Sequence, residues 1–509
     1  MKTVRAYIDL HASTSPARTF LIAPDSNKEL TFYALKSATR EVGRQLDSLG
    51  VSAGRKVGFL MNNGYWTTQL FLGVMYSGRV IVPLNALAGN VQLQYILNHS
   101  DAEVVLVSPE YEDKLAELLQ SAEREITVIR CSEQTGPQWP AKKTPLEACP
   151  ASPTEADPAL LLYTSGSTGL PKGAIHSHRA VISGGENVAG GHGLSADDRV
   201  LCVLPVYHIN GAMVTVSGPL VSGSSVVMPE KFKVTRFWEL AADYQCSWSS
   251  LVPTIIKYLL DRVDQEPYKF GGDDRLQYFR FVRSASAPLP AVVLWEWEQT
   301  FHIPMIETIG LTETAGTVAT NPMPPRERKP GSVGLPYGNE IEIFDQQNAV
   351  CPPYTSGEIV IRGDNVLDYY YKNPDATEKA FTDNWFRTGD LGIKDDDGYI
   401  FVTGRSKELI IRGGENIAPR EIDDVLYKHE AVLEAAAFGV DDENYGQEVY
   451  ACVAFRDDFQ CSVNELIAMC EQVIGKYKSP KKIYVMNELP KGPSGKILRL
   501  KLSEIVKSL

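Results

Sequence analysis

Three short apolar runs, KVGFL (56–60), VIVPL (80–84) and EVVLV (103–107), are separated by helical stretches around 65–77 and 90–99. Short apolar strands alternating with helices build parallel β–α–β layers, because each strand must be re-entered in the same direction through a crossover. The helix leading into this region has defined ends. Thr31 is a good N-cap, Leu35, Ala38, Val42, Leu46 and Leu49 recur at helical spacing, and Gly50 stops the run. The same grammar returns from about 158 to 320, with RVLCVLP, SSVVMP and FRFVRSAS as strands. All these apolar stripes read as core.

From 330 to 403 the pattern changes. Short strands (EIEIF, GEIVIRG, YIFVTG) alternate with turn signals such as DDDG (395–398), which predicts an antiparallel barrel or sheet. Beyond Gly404 the order becomes β–α–β–β–α–β, with Ile422, Val425 and Leu426 on one helix face. A boundary at 404–407 divides the chain into residues 1–404 and 405–509.

At 509 residues the chain is too long for one ordinary core, which agrees with that division. A formal charge of −13 argues against a nucleic-acid partner, since phosphate backbones are held by net basic faces. The eight cysteines include no C-x-x-C pair, which removes the usual zinc and redox spacings and suits a reducing cytoplasm. The opening MKTVRAYIDLHASTSP has no apolar core for a signal peptide, and no 18-residue apolar run predicts a membrane span. A homodimer stays open.

Residues 163–174 read YTSGSTGLPKGA, after a strand-like ALLLY (159–163) and before IHSHRAVISGG, which can begin a helix. Glycines and hydroxyls allow several backbone N–H groups to turn inward around phosphate oxygens, and Lys172 adds a point charge. The loop is neither a Walker A sequence nor a G-x-G-x-x-G dinucleotide fingerprint.

The string resembles the phosphate loop of the adenylate-forming superfamily, which includes acyl-CoA synthetases, luciferases and peptide-synthetase adenylation domains. Five further stretches match that family in order: SASAPLP (284–290), IGLTETAG (309–316), FRTGDLG (386–392), GRSKELIIRGGENIAPREID (404–423) and PKGPSGKILR (490–499). The likeness covers essentially the whole chain. It implies an α/β plus α+β architecture: a large N-terminal domain of two parallel α/β lobes with a β-barrel, and a small mobile C-terminal lid. The implied reaction is carboxylate attack on the α-phosphate of ATP, giving acyl-AMP and pyrophosphate, then thioester formation with coenzyme A.

The resemblance also assigns expected roles. Thr164, Ser165, Gly166, Ser167, Thr168, Gly169 and Lys172 would cradle the β- and γ-phosphates. Ser286, Ala287 and Pro288 would line the nucleotide site, Thr312 would hold phosphate oxygens, and Glu313 would hold Mg²⁺, which prefers carboxylate and phosphate oxygens. Asp390 would accept the ribose hydroxyls with Arg405 in support, and Lys496 would stabilise charge at the α-phosphate. Lys407 falls at the hinge, and Gly413 and Gly414 would border the coenzyme A tunnel. Lys476, Lys478, Lys481 and Lys482 would receive the 3′-phosphate, or form a solvated run.

Two departures bear on specificity. Ile309 stands where the family commonly has an aromatic ring that stacks on adenine, and Ala285 where aryl-acid ligases tend to have glycine. His208 (in PVYHINGAM), Trp248 (in SWSSLVPT), Arg283, Ser284 and Ala285 are the expected acyl pocket. Arg283 would pair a second anionic group of the acid; a structural salt bridge is the competing reading. These stretches resemble ligases of short polar acids such as sulfoacetate or oxalate. Medium-chain or aryl-acid ligases, and an adenylation enzyme that loads a carrier protein, are the alternatives.

Overall fold

In the computed structural model, which describes residues 2–140, 152–164, 170–268, 270, 272, 274–456, 459, 461–492 and 496–507, the three apolar runs become neighbouring parallel strands. Lys56–Leu60 lies between Val80–Pro83 and Ala102–Val107 in an eight-stranded sheet. Thr127–Ser132 and Pro158–Tyr163 extend its parallel part on either side. Gly173–Ser177 and then Tyr369–Tyr370 add antiparallel strands at the Pro158–Tyr163 edge.

A nine-stranded sheet forms the other lobe. Its parallel centre is Ser225–Val227, Arg199–Leu201, Trp248–Leu251, Phe281–Ser284 and Met305–Leu311. Between the lobes lies one continuous core that includes Phe59, Phe71, Met75, Val181, Val188, Met213, Trp248 and Phe281. Helix Tyr65–Tyr76 is buried on every side from Thr67 onward. A helix apolar all round belongs inside a layered structure, and this one sits within the shared core.

The 330–403 region forms a five-stranded antiparallel sheet around the long strand Trp385–Lys394. It shares a core of Ile341, Ile343, Ile359, Ile361 and Ile400 with Val318 and Ala319 of the nine-stranded sheet. Strand Ile400–Arg405 ends at a single turn, Ser406–Glu408, after which the last sheet begins with Ile410–Arg412.

That last unit has five strands. Val432–Asp442 and Gly446–Phe455 pair antiparallel, and Lys482–Val485 runs parallel to the latter. Helices Pro419–Leu426 and Val463–Lys478 cover its core of Ile422, Leu426, Val449, Val453 and Leu466. It holds two elements beyond the expected order: the hairpin partner Glu415–Ile417 and the closing helix Arg499–Lys507. Among the described residues no helix is long and apolar enough to cross a membrane.

Candidate active site

Beyond the phosphate loop the chain departs from expectation. It returns as strand Gly173–Ser177, antiparallel to Pro158–Tyr163, and the helix starts only at His178. Gly173–Ser177 is buried throughout, and Ser177 caps the helix by accepting from the Ala180 N–H. The two strands flanking the loop pair up to its ends, where the Thr164 N–H donates to the Lys172 carbonyl at 2.9 Å. Ser165, Gly166, Ser167, Thr168 and Gly169 lie outside the described residues.

Lys172 leaves the loop with Nζ 4.3 Å above the ring of Tyr370. Burial lowers the pKa of its ammonium, Glu313 opposes that shift, and Lys407 adds to it. Thr312 and Glu313 occupy a single turn after strand Met305–Leu311. His176 Nε2 donates to the Thr312 carbonyl at 2.8 Å, and burial holds this imidazole neutral by pushing its pKa down to about 4. The Leu367 N–H donates to the Glu313 carbonyl at 2.6 Å, and the Tyr370 hydroxyl to Glu313 Oε1 at 2.9 Å. Lys172 and Glu313, 141 positions apart in sequence by subtraction of their numbers, thus meet at Tyr370.

Asp390 and Arg405 face each other directly across strands Trp385–Lys394 and Ile400–Arg405. Arg405 Nε lies 2.8 Å from Asp390 Oδ1. Burial raises the pKa of this carboxyl, while Arg405 and then Lys496 pull it back. Beside Lys496, Lys491 bridges Ile497 and the Gly492 N–H donates to the Lys496 carbonyl at 2.8 Å. Burial pushes the Lys496 ammonium down to about 8. Arg405 and Arg499 push the same way, against Asp390 and Glu408. The structure therefore joins Asp390, Arg405 and Lys496 in one electrostatic group.

The expected acyl residues lie on adjacent parallel strands, with Trp248 opposite Phe281, Ser250 opposite Arg283 and Leu251 opposite Ser284. Alternation puts Trp248, Ser250, Phe281 and Arg283 on one face. Trp248 is wholly buried and stacks on Phe281 at 5.6 Å with rings 8° apart, so it packs as a core residue. Arg283 is 1% exposed. Its Nη2 donates to Thr308 Oγ1, but Nε and Nη1 find no partner, and it forms no ion pair among the described residues. Burial alone pushes this guanidinium down to about 9. The salt bridge of the competing reading is absent among the described residues.

His208 packs its ring 4.8 Å from that of Tyr207 and precedes a π-helical segment, Asn210–Ser217. Asn210 ties that segment to strand Trp248–Leu251 and to the loop after Phe281–Ser284. It accepts from Ser250 Oγ at 2.8 Å and donates to Ser286 Oγ at 3.4 Å. Ser286 holds φ +73°, an uncommon conformation for a side chain-bearing residue. Ala285 is buried, and Ala287 and Pro288 continue the loop outward. Sequence reasoning missed His192, a buried imidazole 5.3 Å from Phe281 whose pKa Arg283 helps to depress. It also missed Tyr370, whose run YYYK (369–372) carries no periodicity to single it out.

On the lid, Gly413 and Gly414 form the tip of a hairpin in which Arg412 pairs with Glu415. Both have positive φ, +57° and +87°, as a two-residue turn of this kind requires. Lys407 is exposed in the Ser406–Glu408 turn. Of the four lid lysines, Lys478 already pairs with Glu421 at 2.5 Å and Lys481 with Asp442 at 3.5 Å. Lys482 lies over Tyr484, and Lys476 is exposed.

A carboxylate and a lysine meet at Tyr370 beside the glycine- and hydroxyl-rich loop, and Lys496 reaches the Asp390–Arg405 pair, an arrangement suited to a nucleotide. Residues 8–371 match the AMP-binding enzyme family and residues 421–496 match the AMP-binding enzyme C-terminal domain, and the chain belongs to this family. It is 45% identical to sulfoacetate–CoA ligase of Cupriavidus necator over 98% of this chain and 97% of that one. ATP-bound MatB from Rhodopseudomonas palustris superposes with a TM-score of 0.90 at 26% identity, covering 99% of each chain. The O-succinylbenzoate coenzyme A synthetase of Bacillus subtilis, solved with ATP and magnesium, gives 0.84 at 28% identity over 97% of this chain and 98% of that one. At the level of reaction class the protein is an AMP-forming acid–thiol ligase that uses ATP, Mg²⁺ and coenzyme A.

Proposed function

We propose that the acid is short and carries a second anionic group, with sulfoacetate or a small dicarboxylate favoured. The observation behind this reading is Arg283, a buried cation with two unpartnered nitrogens and no carboxylate partner among the described residues. A buried charge without a counter-ion costs several kcal/mol, on the order of what a dianionic substrate can recover by pairing with it. The similarity to the sulfoacetate–CoA ligase of Cupriavidus necator supports the same choice.

In the adenylation step Lys172 and Thr312 hold phosphate oxygens, Asp390 and Arg405 hold the ribose, and Lys496 meets charge that develops at the α-phosphate. Glu313 fits Mg²⁺. Its Oε1 accepts from Tyr370, and Oε2 accepts from no group among the described residues. A carboxylate is the ligand type this hard cation prefers. When bound, the metal supplies neutralising charge to the phosphates. His208, Ser284 and Ala285 flank the reacting carboxylate. Residues 405–509 then pivot on residues 1–404 about Ser406–Glu408. This withdraws Lys496 and presents Gly413–Gly414 to the thiol. We place the enzyme in the cytoplasm, where thiols such as Cys202 and Cys452 stay reduced.

The test is coenzyme A-dependent AMP formation with sulfoacetate, oxalate, malonate, propionate, hexanoate and a cinnamate-type acid. The expected order of kcat/KM puts a doubly charged acid first. Best turnover of hexanoate or the aryl acid would refute the small-anion pocket and leave the ligase class standing.

A further inference from the structure

Tyr370 is 3% exposed and belongs to neither the phosphate loop nor the Thr312–Thr314 turn, yet it touches the charged residue of each. Its backbone is fixed from two sides. It pairs with Ala174, two residues beyond Lys172, and its N–H donates to Thr377 Oγ1 at 3.0 Å. Its ring packs with Ala174, Leu367 and Phe386. The same backbone run reaches Glu313 directly, since the Leu367 N–H donates to the Glu313 carbonyl at 2.6 Å. The ring is therefore held by contacts that do not involve the side chains of Glu313 or Lys172.

That fixity acts on both neighbours. A phenol donating to one carboxylate oxygen makes a charge-assisted hydrogen bond and sets the carboxylate plane. It takes one acceptor site on Oε1 of Glu313, while Oε2 accepts from no group among the described residues. Mg²⁺ demands near-octahedral geometry and keeps several waters, whereas Ca²⁺ tolerates a bidentate carboxylate. Meanwhile the ring face gives the Lys172 ammonium a partner 4.3 Å away, one that a phosphate oxygen outcompetes.

We propose that Tyr370 is a positioning residue that fixes Glu313 as a one-oxygen ligand for Mg²⁺ and holds Lys172 in place for the incoming phosphates. The inference rests on the phosphate- and metal-binding roles of Lys172 and Glu313. Tyr370→Phe keeps the ring under Lys172 and removes only the hydroxyl.

Calorimetric titration of the full-length enzyme, with ATP in excess Mg²⁺ and with ATP in chelator, provides a readout that needs no turnover. Tyr370→Phe is expected to weaken MgATP about 10- to 100-fold, the usual cost of removing the group that orients a metal ligand, while metal-free ATP changes less than about twofold. In ATP–pyrophosphate exchange the same variant should need more Mg²⁺ for half-maximal rate and lose discrimination against Ca²⁺. Tyr370→Leu should additionally weaken metal-free ATP, because Lys172 loses its ring. Wild-type Mg²⁺ dependence in Tyr370→Phe would overturn the proposal, as would equal weakening of ATP with and without metal. Glu313→Gln is the control for the underlying reading. If it leaves Mg²⁺ dependence intact, Glu313 is not the metal ligand and both ideas fall. If it abolishes that dependence while Tyr370→Phe does not move it, only the role of Tyr370 is lost.

Discussion

Replacing Arg283 with Met tests the acyl pocket in two independent quantities. The guanidinium is 1% exposed, donates one hydrogen bond to Thr308 Oγ1, and forms no ion pair among the described residues. Methionine matches much of its length and suits the aromatic surroundings of Trp248 and Phe281. Without substrate, the substitution deletes a buried charge that lacks a partner. Apolar replacement of buried charge is often neutral or stabilising, by up to about 1–4 kcal/mol for whole ion-pair groups. The expected change in melting temperature is therefore zero or upward. With a doubly charged acid bound, the same substitution strands the second anion, at a cost of about 2–5 kcal/mol. At about 1.4 kcal/mol per decade, kcat/KM for that acid should fall roughly 30- to 5000-fold. Propionate, which has nothing to pair there, should lose less than about threefold. The assay is AMP release with each acid beside a thermal melt of the free enzyme. A lower melting temperature with equal losses on both acids would show that Arg283 is structural and would refute the reasoning.

Lys496→Ala should abolish ATP–pyrophosphate exchange yet leave thioester formation from supplied acyl-AMP largely intact; parallel loss of both halves with the fold intact would remove the role given to Lys496. Because burial lowers this ammonium to about 8, kcat/KM for ATP should fall as pH rises through about 8, whereas a flat profile up to roughly pH 9.5 would count against it. Ile309→Tyr should tighten ATP by about 0.5–1.5 kcal/mol if the new ring stacks on adenine, measured as Kd by calorimetry. Glu307, whose carboxyl burial raises to about 7, binds more protons folded than unfolded between its ordinary value and 7. It therefore makes stability fall as pH climbs through that window, and Glu307→Gln should flatten that part of the melting-temperature profile.

Much of this molecule was legible from pattern alone. Helix Phe32–Ser48 begins after Thr31, whose side chain accepts from the Ala34 N–H, and Gly50 takes φ +79° just beyond its end. The hairpin that places Asp390 opposite Arg405 arises from alternating strands around DDDG. Strand Gly173–Ser177 escaped because GAIHS is short and mixes polar with apolar residues, although it is buried on both faces. Its polar members find partners one at a time: His176 Nε2 donates to the distant Thr312 carbonyl while Nδ1 has no partner among the described residues, and Ser177 caps the helix that follows. The approach of Lys496 to Asp390 joins a strand residue to one between strand Lys482–Val485 and helix Arg499–Lys507, and nothing in local periodicity encodes such a meeting; only the family resemblance pointed to it. Trp248 shows the converse limit. An aromatic near a site reads equally as wall or core, and its stacking on Phe281 decides for core.

The position of Arg405 has a mechanical consequence. It is the last residue of its strand, anchored to Asp390 at 2.8 Å, and the Ser406–Glu408 turn begins immediately after it. In any rotation, displacement grows with distance from the axis, so whatever is gripped at the pin barely travels. If residues 405–509 pivot at that turn as proposed, a sugar held by Asp390 and Arg405 sits at the pin, while the Gly413–Gly414 tip, beyond strand Ile410–Arg412, travels farther. The nucleotide can then stay seated through both half-reactions as the tools around it are exchanged. A lid hinged elsewhere would have to drag its substrate along or let it go.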